Sequence, residues 1–179
     1  MQRHMSNVWF RLMALEYRLK SDSEATLVRL KEAGIQPGMT VLDFGCGPGR
    51  YTIPAARLVG KEGRVYAVDV HPLALKMVAR GAAQARLTDL HAINSDCDTG
   101  LAPESIDVAL LYDALHDVEN KESVLREIHR VLKPQGSLSY KDHTLHGEAL
   151  LSLMISCGFS LSTGTPTQLS FRKSRKEER

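Results

Sequence analysis

The chain has 179 residues, 43% hydrophobic and 25% charged, with a formal net charge of +2, which suits one globular domain around one core and excludes a disordered or fibrous chain. No window approaches the roughly 18 consecutive apolar residues of a membrane span, and three widely spaced cysteines (Cys46, Cys97, Cys157) without a C-x-x-C pair argue against zinc motifs, redox motifs and a disulfide framework. The positive charge sits in the tail, where 172–179 hold five basic and two acidic residues; the body is near neutral, so nucleic acid is not indicated as a partner, and the expected compartment is the cytoplasm.

Two helical stretches come first. Residues 8–20 carry Trp9, Phe10, Met13 and Tyr17, an apolar load broader than one stripe. It reads either as a helix packed on a sheet or as a lid over an acceptor pocket, and suggests a partly hydrophobic or aromatic acceptor. Arg11, Glu16 and Arg18 interrupt this stretch and no small-residue cleavage site follows, so it is not read as a signal peptide. Residues 23–33 open on Ser23, a fair N-cap, and stop at Gly34. Residues 1–34 are thus an expected helical cap, 35–173 the main domain and 174–179 a basic polar tail.

From residue 40 onward, β-rich runs alternate with helical patterns. Strands are predicted over Thr40–Phe44, Arg64–Asp69, Leu90–Asn94, Ile106–Tyr112, 137–141, 159–163 and 168–172, with helices over 51–58, Pro72–Gln84, 122–132 and Gly147–Ser156. Runs such as Val108-Ala109-Leu110-Leu111 are continuously apolar, as strands covered on both faces require. Pro72 suits a first helical turn, and Lys133-Pro134-Gln135-Gly136 should stop the third of these helices. The alternation predicts an α/β, doubly wound, mostly parallel sheet.

The segment Val41-Leu42-Asp43-Phe44-Gly45-Cys46-Gly47-Pro48-Gly49 places an acid at the end of a buried strand, then a Gly-x-Gly-x-Gly turn, then a helix. Missing Cβ atoms let a bulky ligand lie against the backbone, and a helix start offers free N–H groups. A dinucleotide enzyme would use these for a pyrophosphate. Here Pro48 removes one N–H, Arg50 stands where the third glycine of that fingerprint belongs, and Asp43 would repel a diphosphate but receive a cationic amino group. Asp69 ends the next strand, 20 residues beyond Gly49, where a carboxylate can accept both hydroxyls of a ribose.

In these blocks the chain resembles the class I S-adenosylmethionine-dependent methyltransferases, the small type 11-like members in particular. Asp43 to Gly49 match the glycine-rich first motif and Val68-Asp69 the second. Ser95-Asp96-Cys97-Asp98 resembles the third, and residues 125–136 resemble the helix and turn before the fifth strand. The resemblance implies a Rossmann-like seven-stranded mixed sheet, order 3-2-1-4-5-7-6, with helices on both faces, and S-adenosylmethionine as cofactor. It implies that Asp43 faces the methionyl ammonium, that Gly45, Cys46 and Gly47 form the close-approach turn, and that Asp69 holds the ribose. Val70 would pack on the adenine with His71 nearby, Asp96 and Cys97 would read its edge, and Tyr112 would flank the methionine through its backbone.

The expected reaction is methyl transfer to a small molecule, with oxygen as one candidate acceptor atom. His116 in Leu115-His116-Asp117 resembles the His-Asp segment of plant and bacterial O-methyltransferases, in which the histidine deprotonates the acceptor hydroxyl; a hydrogen-bonding histidine at a helix start is the other reading. Asp113, Asp142 and His143 would converge nearby. His143 stands where the catechol-type enzymes have an amide magnesium ligand, so a polar substrate rim is favoured and no metal ligand is assigned. The alternatives are methylation of an RNA or protein acceptor, a cofactor-binding partner subunit without catalysis, and an NAD-dependent oxidoreductase.

Overall fold

The computed structural model describes residues 23–174. The predicted helix over 8–20, with Trp9, Phe10, Met13 and Tyr17, and the tail beyond Ser174 lie outside the described residues. The elements are α1 (Glu24–Glu32), β1 (Thr40–Phe44), α2 (Thr52–Val59), β2 (Arg64–Asp69), α3 (Pro72–Gln84), β3 (Leu90–Asn94), β4 (Ile106–Tyr112), α4 (Lys121–Val131), β5 (Leu132–Lys141), α5 (Gly147–Ser156), β6 (Phe159–Thr165) and β7 (Gln168–Lys173), with a 3-10 turn at Leu115–Asp117 after β4. Seven strands form one sheet in the order β3-β2-β1-β4-β5-β7-β6. The pairings from β3 through to β5 are parallel, and β7 runs antiparallel to both β5 and β6. No described helix is long and apolar enough to cross a membrane.

Alternation along the central strands sorts the core into two layers. Leu42, Phe44, Ala109 and Leu111 face α4 and α5, meeting Val124, Leu125, Ile128, Leu150 and Met154. Val41, Val108, Leu110 and Tyr112 face the other way, against Leu30 of α1 and Ala55 and Val59 of α2. Both faces of β1 and β4 are therefore dry, which is why their sequences read as unbroken apolar runs.

Local chemistry sets the ends of the helices. The Thr26 N–H donates to Ser23 Oγ at 3.3 Å, capping α1. Pro72 sits in the first turn of α3, and Asn120 rather than a later residue caps α4 by accepting from the Ser123 N–H at 3.0 Å. The largest boundary difference from expectation is at the start of β5. Residues 133–136, read as a stop before a strand at 137, are instead the first part of β5, which begins at Leu132. Leu132 pairs with Ile106, the register then shifts, and Gly136 lies so close to the Ile106 and Asp107 carbonyls that a Cβ there would stand 3.0 Å from each. A Pro-Gly run can thus sit on a sheet at an irregularity.

Candidate cofactor and acceptor site

The chemistry-bearing residues gather at the carboxyl ends of β1, β2, β4 and β5, where open α/β sheets bind ligands. After β1 the chain turns through Gly45 and Gly47, at φ of +74° and +52°, values that a side-chain-bearing residue adopts only with strain. A Cβ on Gly45 would overlap the Ala114 Cβ, so the turn is pressed directly against the loop after β4. A Cβ on Gly47 would meet nothing within 4 Å, so that side of the turn is open.

Asp69 locks the turn to β2. Its two carboxylate oxygens accept from the Gly47 N–H and the His71 N–H, each at 2.8 Å. An ionised carboxylate accepts about four hydrogen bonds, which leaves it capacity for a diol. Asn94, at the end of β3, donates to the Asp69 and Val70 carbonyls at 3.0 and 3.1 Å and fixes the loop carrying Val70. His71 caps α3, its Nδ1 accepting from the Leu73 N–H at 3.2 Å.

Asp43 is 2% exposed and accepts the Thr52 hydroxyl at 2.6 Å. Burial pushes its carboxyl up to about 7; the Thr52 hydroxyl opposes that rise and the nearby Asp69 charge adds to it. Thr52 was not singled out from sequence, although a hydroxyl in the first turn of the helix after the glycines is the available signal. The Cys46 thiol is buried with Ala67 and Val78 and donates to the Gly47 carbonyl of the turn at 3.6 Å. The Cys97 N–H donates to Ser95 Oγ at 3.2 Å, and Asp96 is exposed beside it. The Tyr112 ring is buried edge-on to Tyr51 with its hydroxyl paired to Ser139 at 2.8 Å, leaving the backbone as its means of flanking a ligand.

Beside the glycine turn, the ends of β4 and β5 present two carboxylate–imidazole pairs. His116 Nδ1 lies 2.9 Å from Asp142 Oδ2, and His143 Nδ1 lies 3.2 Å from Asp113 Oδ1. Lys141 forms an ion pair with Asp113, which sits at φ +50°. The two imidazoles meet edge to face, 4.8 Å between centroids. Asp113, Asp142 and His143 do come to one place, as the sequence implied, but Asp113 and Asp142 serve different partners. The His116–Asp142 pairing, 26 residues apart, was not foreseen. Burial works against ionisation of Asp142, yet the Thr144 and Leu145 N–H groups and His116 outweigh it and hold its carboxyl down at about 2.

A family model described as a methyltransferase domain matches residues 35–166. The chain belongs to that family, the class I S-adenosylmethionine-dependent methyltransferases, whose cofactor is S-adenosylmethionine. Among solved structures, a SAM-dependent methyltransferase from Aquifex aeolicus is similar, with a TM-score of 0.76 at 21% identity over 94% of this chain and 96% of that one. The curated relatives include the ubiquinone/menaquinone biosynthesis C-methyltransferases UbiE of Klebsiella pneumoniae, 32% identical over 59% of this chain and 43% of the relative. The corresponding protein of Hydrogenovibrio crunogenus is 35% identical over 67% of this chain and 48% of its own length. The chain spans just under half the length of these relatives.

The donor set fits that cofactor. The site offers an open glycine flank at Gly47, a pinned carboxylate with spare acceptor capacity at Asp69, and a second carboxyl at Asp43 whose ionisation a cation would favour.

Proposed function

We propose that the chain methylates a small organic acceptor bearing an ionisable hydroxyl, with the methyl landing on that oxygen or on a ring carbon conjugated to it. When bound, S-adenosylmethionine supplies an electrophilic methyl: the acceptor's electron pair forms the new bond while the carbon–sulfur pair stays on sulfur as a neutral thioether. The protein's part is alignment, which can supply much of the rate of an in-line displacement, and removal of a proton. Asp69 holds the ribose, Gly45, Cys46 and Gly47 admit the methionine chain, and the Asp43 charge faces its ammonium. Val70, with Asp96 and the Cys97 N–H once freed from Ser95, receives the adenine, and the Tyr112 backbone flanks the methionine.

His116 is the proton acceptor. The observation that carries this reading is its position: its ring is 22% exposed and held by a fully covered carboxylate, on the loop whose Ala114 touches the glycine turn. A base is required only where the acceptor must lose a proton, which selects hydroxylated acceptors over amines and thioethers. Methylation at carbon, as the relatives' names state for them, is compatible with it, because a deprotonated ring hydroxyl makes its conjugated carbons nucleophilic.

The test is to incubate the full chain with methyl-deuterated S-adenosylmethionine and a panel of hydroxylated rings, and to follow the label by mass spectrometry. Labelled product is expected with wild type, and His116→Ala should lose about 100-fold or more in turnover while its affinity for S-adenosylhomocysteine stays unchanged. Undiminished turnover in His116→Ala would remove the base from the reading. Absence of S-adenosylhomocysteine binding to wild type would remove the reading itself.

A further inference from the structure

We infer that Asp142 is the positioning residue of the base: it holds His116 with Nδ1–H turned inward and leaves the Nε2 lone pair to take the acceptor's proton. This rests on the methyl-transfer reading above and adds the second member of its proton machinery.

The argument starts with the hydrogen-bond capacity of Asp142. Oδ1 accepts from the Thr144 N–H at 2.8 Å and the Leu145 N–H at 3.2 Å. Oδ2 faces the His116 N–H at 3.3 Å and His116 Nδ1 at 2.9 Å. That is the full acceptor capacity of a carboxylate, in a side chain with no exposed surface. Three of the four partners are backbone donors of fixed position, so the carboxylate cannot swing away. An ionised carboxylate has no proton to give; at 2.9 Å, therefore, the hydrogen between Asp142 and His116 belongs to Nδ1, and the neutral ring carries its lone pair on Nε2.

One other carboxylate reaches the ring, from the solvent side. Asp117, on the same 3-10 turn, brings Oδ2 to 3.4 Å from Nε2 and is 82% exposed. Its lone pairs draw a proton towards Nε2, but at that exposure water screens the pull, so it competes only weakly with Asp142 in the neutral ring and stabilises the imidazolium once the proton has arrived. From the end of β5, His143 meets the ring edge to face, and it is occupied by Asp113, which Lys141 neutralises. The step is balanced: the acceptor's O–H bond breaks, its proton goes to Nε2, and the pair left behind is the nucleophile described above.

The same residues could hold a cation, since ligand atoms of His116, Asp142 and His143 lie within 4.8 Å of one another, and two histidines with a carboxylate suit a transition metal. The hydrogen bonds decide against it. Asp142 has no lone pair left for a metal unless His116 gives up its bond, so the trio as it stands lacks its oxygen ligand.

The test reads the tautomer directly, by imidazole nitrogen NMR of the 15N-histidine-labelled full chain at pH 8, with His116→Ala assigning the signals. Wild type should show Nδ1 protonated and Nε2 bare. Asp142→Asn keeps an oxygen for Thr144 and Leu145 but removes the charge, and should lose that bias. It should also lower kcat on the best ring of the panel by about 100- to 10,000-fold, while KM for S-adenosylmethionine and affinity for S-adenosylhomocysteine change less than threefold. Asp117→Asn should cost less than tenfold. A wild-type ring protonated at Nε2 overturns the inference even if Asp142→Asn fails to fold. So does an unaltered tautomer in Asp142→Asn, or micromolar Zn2+ binding that shifts His116 and His143 together with activity abolished by chelation. Loss of S-adenosylhomocysteine binding in wild type would instead refute the methyl-transfer reading, and the NMR result would still decide the role of Asp142.

Discussion

Replacing Asp43 with asparagine should make the ligand-free protein more stable and its ligand binding weaker. In the folded chain the Asp43 carboxyl is raised from 3.8 to about 7 by burial. That lift corresponds to about 4 kcal/mol against the charged form, at about 1.4 kcal/mol per tenfold change in the ionisation constant. A carboxyl raised on folding contributes stability that is fully present below its unfolded value and lost as pH rises through its folded one. The asparagine variant does not ionise, and its side-chain oxygen can still accept the Thr52 hydroxyl. The two proteins should therefore melt together near pH 4 and diverge up to about pH 7. Above that the gap should hold at about 3 kcal/mol after local relaxation, a rise in melting temperature of roughly 6–12 °C. Calorimetry with S-adenosylhomocysteine at pH 8 should show the reverse sign, with affinity down roughly 10- to 100-fold, the worth of one charge-assisted contact. Wild-type affinity should fall as pH drops from 8 to 6 while the variant's stays flat. A melting gap independent of pH would refute the burial argument, and unchanged affinity would refute the ammonium contact.

Asp69→Asn should lower S-adenosylhomocysteine affinity roughly 10-fold or more, because one oxygen able to accept both Gly47 and a ribose hydroxyl becomes a donor; equal affinity by calorimetry would exclude the ribose role. Gly45→Ala forces a Cβ onto Ala114 at a positive φ and should cost about 2 kcal/mol or more in thermal melts, with Ala114→Gly in the same chain recovering part of the loss. Glu127 accepts from Thr99 and Arg130. Its burial resists ionisation, but the Arg130 and Thr99 hydrogen bonds prevail and hold the carboxyl down at about 2. That stability is present above its ordinary 4.5 and lost as pH falls towards 2. Glu127→Gln should therefore cost about 1–3 kcal/mol at pH 7 and much less at pH 3, by chemical denaturation at the two values.

The parts of this architecture that are local in sequence were legible before any coordinates. The strands β1 and β4 stand out because they are dry on both faces, and α3 because Pro72 and its apolar spacing mark it. The glycine turn and Asp69 lie within one β-α-β unit, so their spacing alone brings them together. The pairing of His116 with Asp142 was not legible. It depends on two neighbouring parallel strands ending at the same level, and on the Thr144 and Leu145 N–H groups that orient the carboxylate. The early start of β5 was hidden for a similar reason: Pro134 and Gly136 carry a strong local stop signal that pairing with Ile106 overrides. The Ser95 hydroxyl on the Cys97 N–H is a third such case, a short-range contact that competes with the role the motif implies.

The last of the described strands, β7, is an inner strand, lodged between β5 and β6. During synthesis β5 therefore emerges with one long flank lacking its partner, and it keeps that flank until some thirty further residues have left the ribosome. Lys141 and Asp142 stand at the tip of that strand. Nascent chains would close the glycine turn onto Asp69 early and fix the His116–Asp142 pair only once β7 has emerged, so a chain stalled short of Gln168 should capture S-adenosylhomocysteine before it can turn over any substrate.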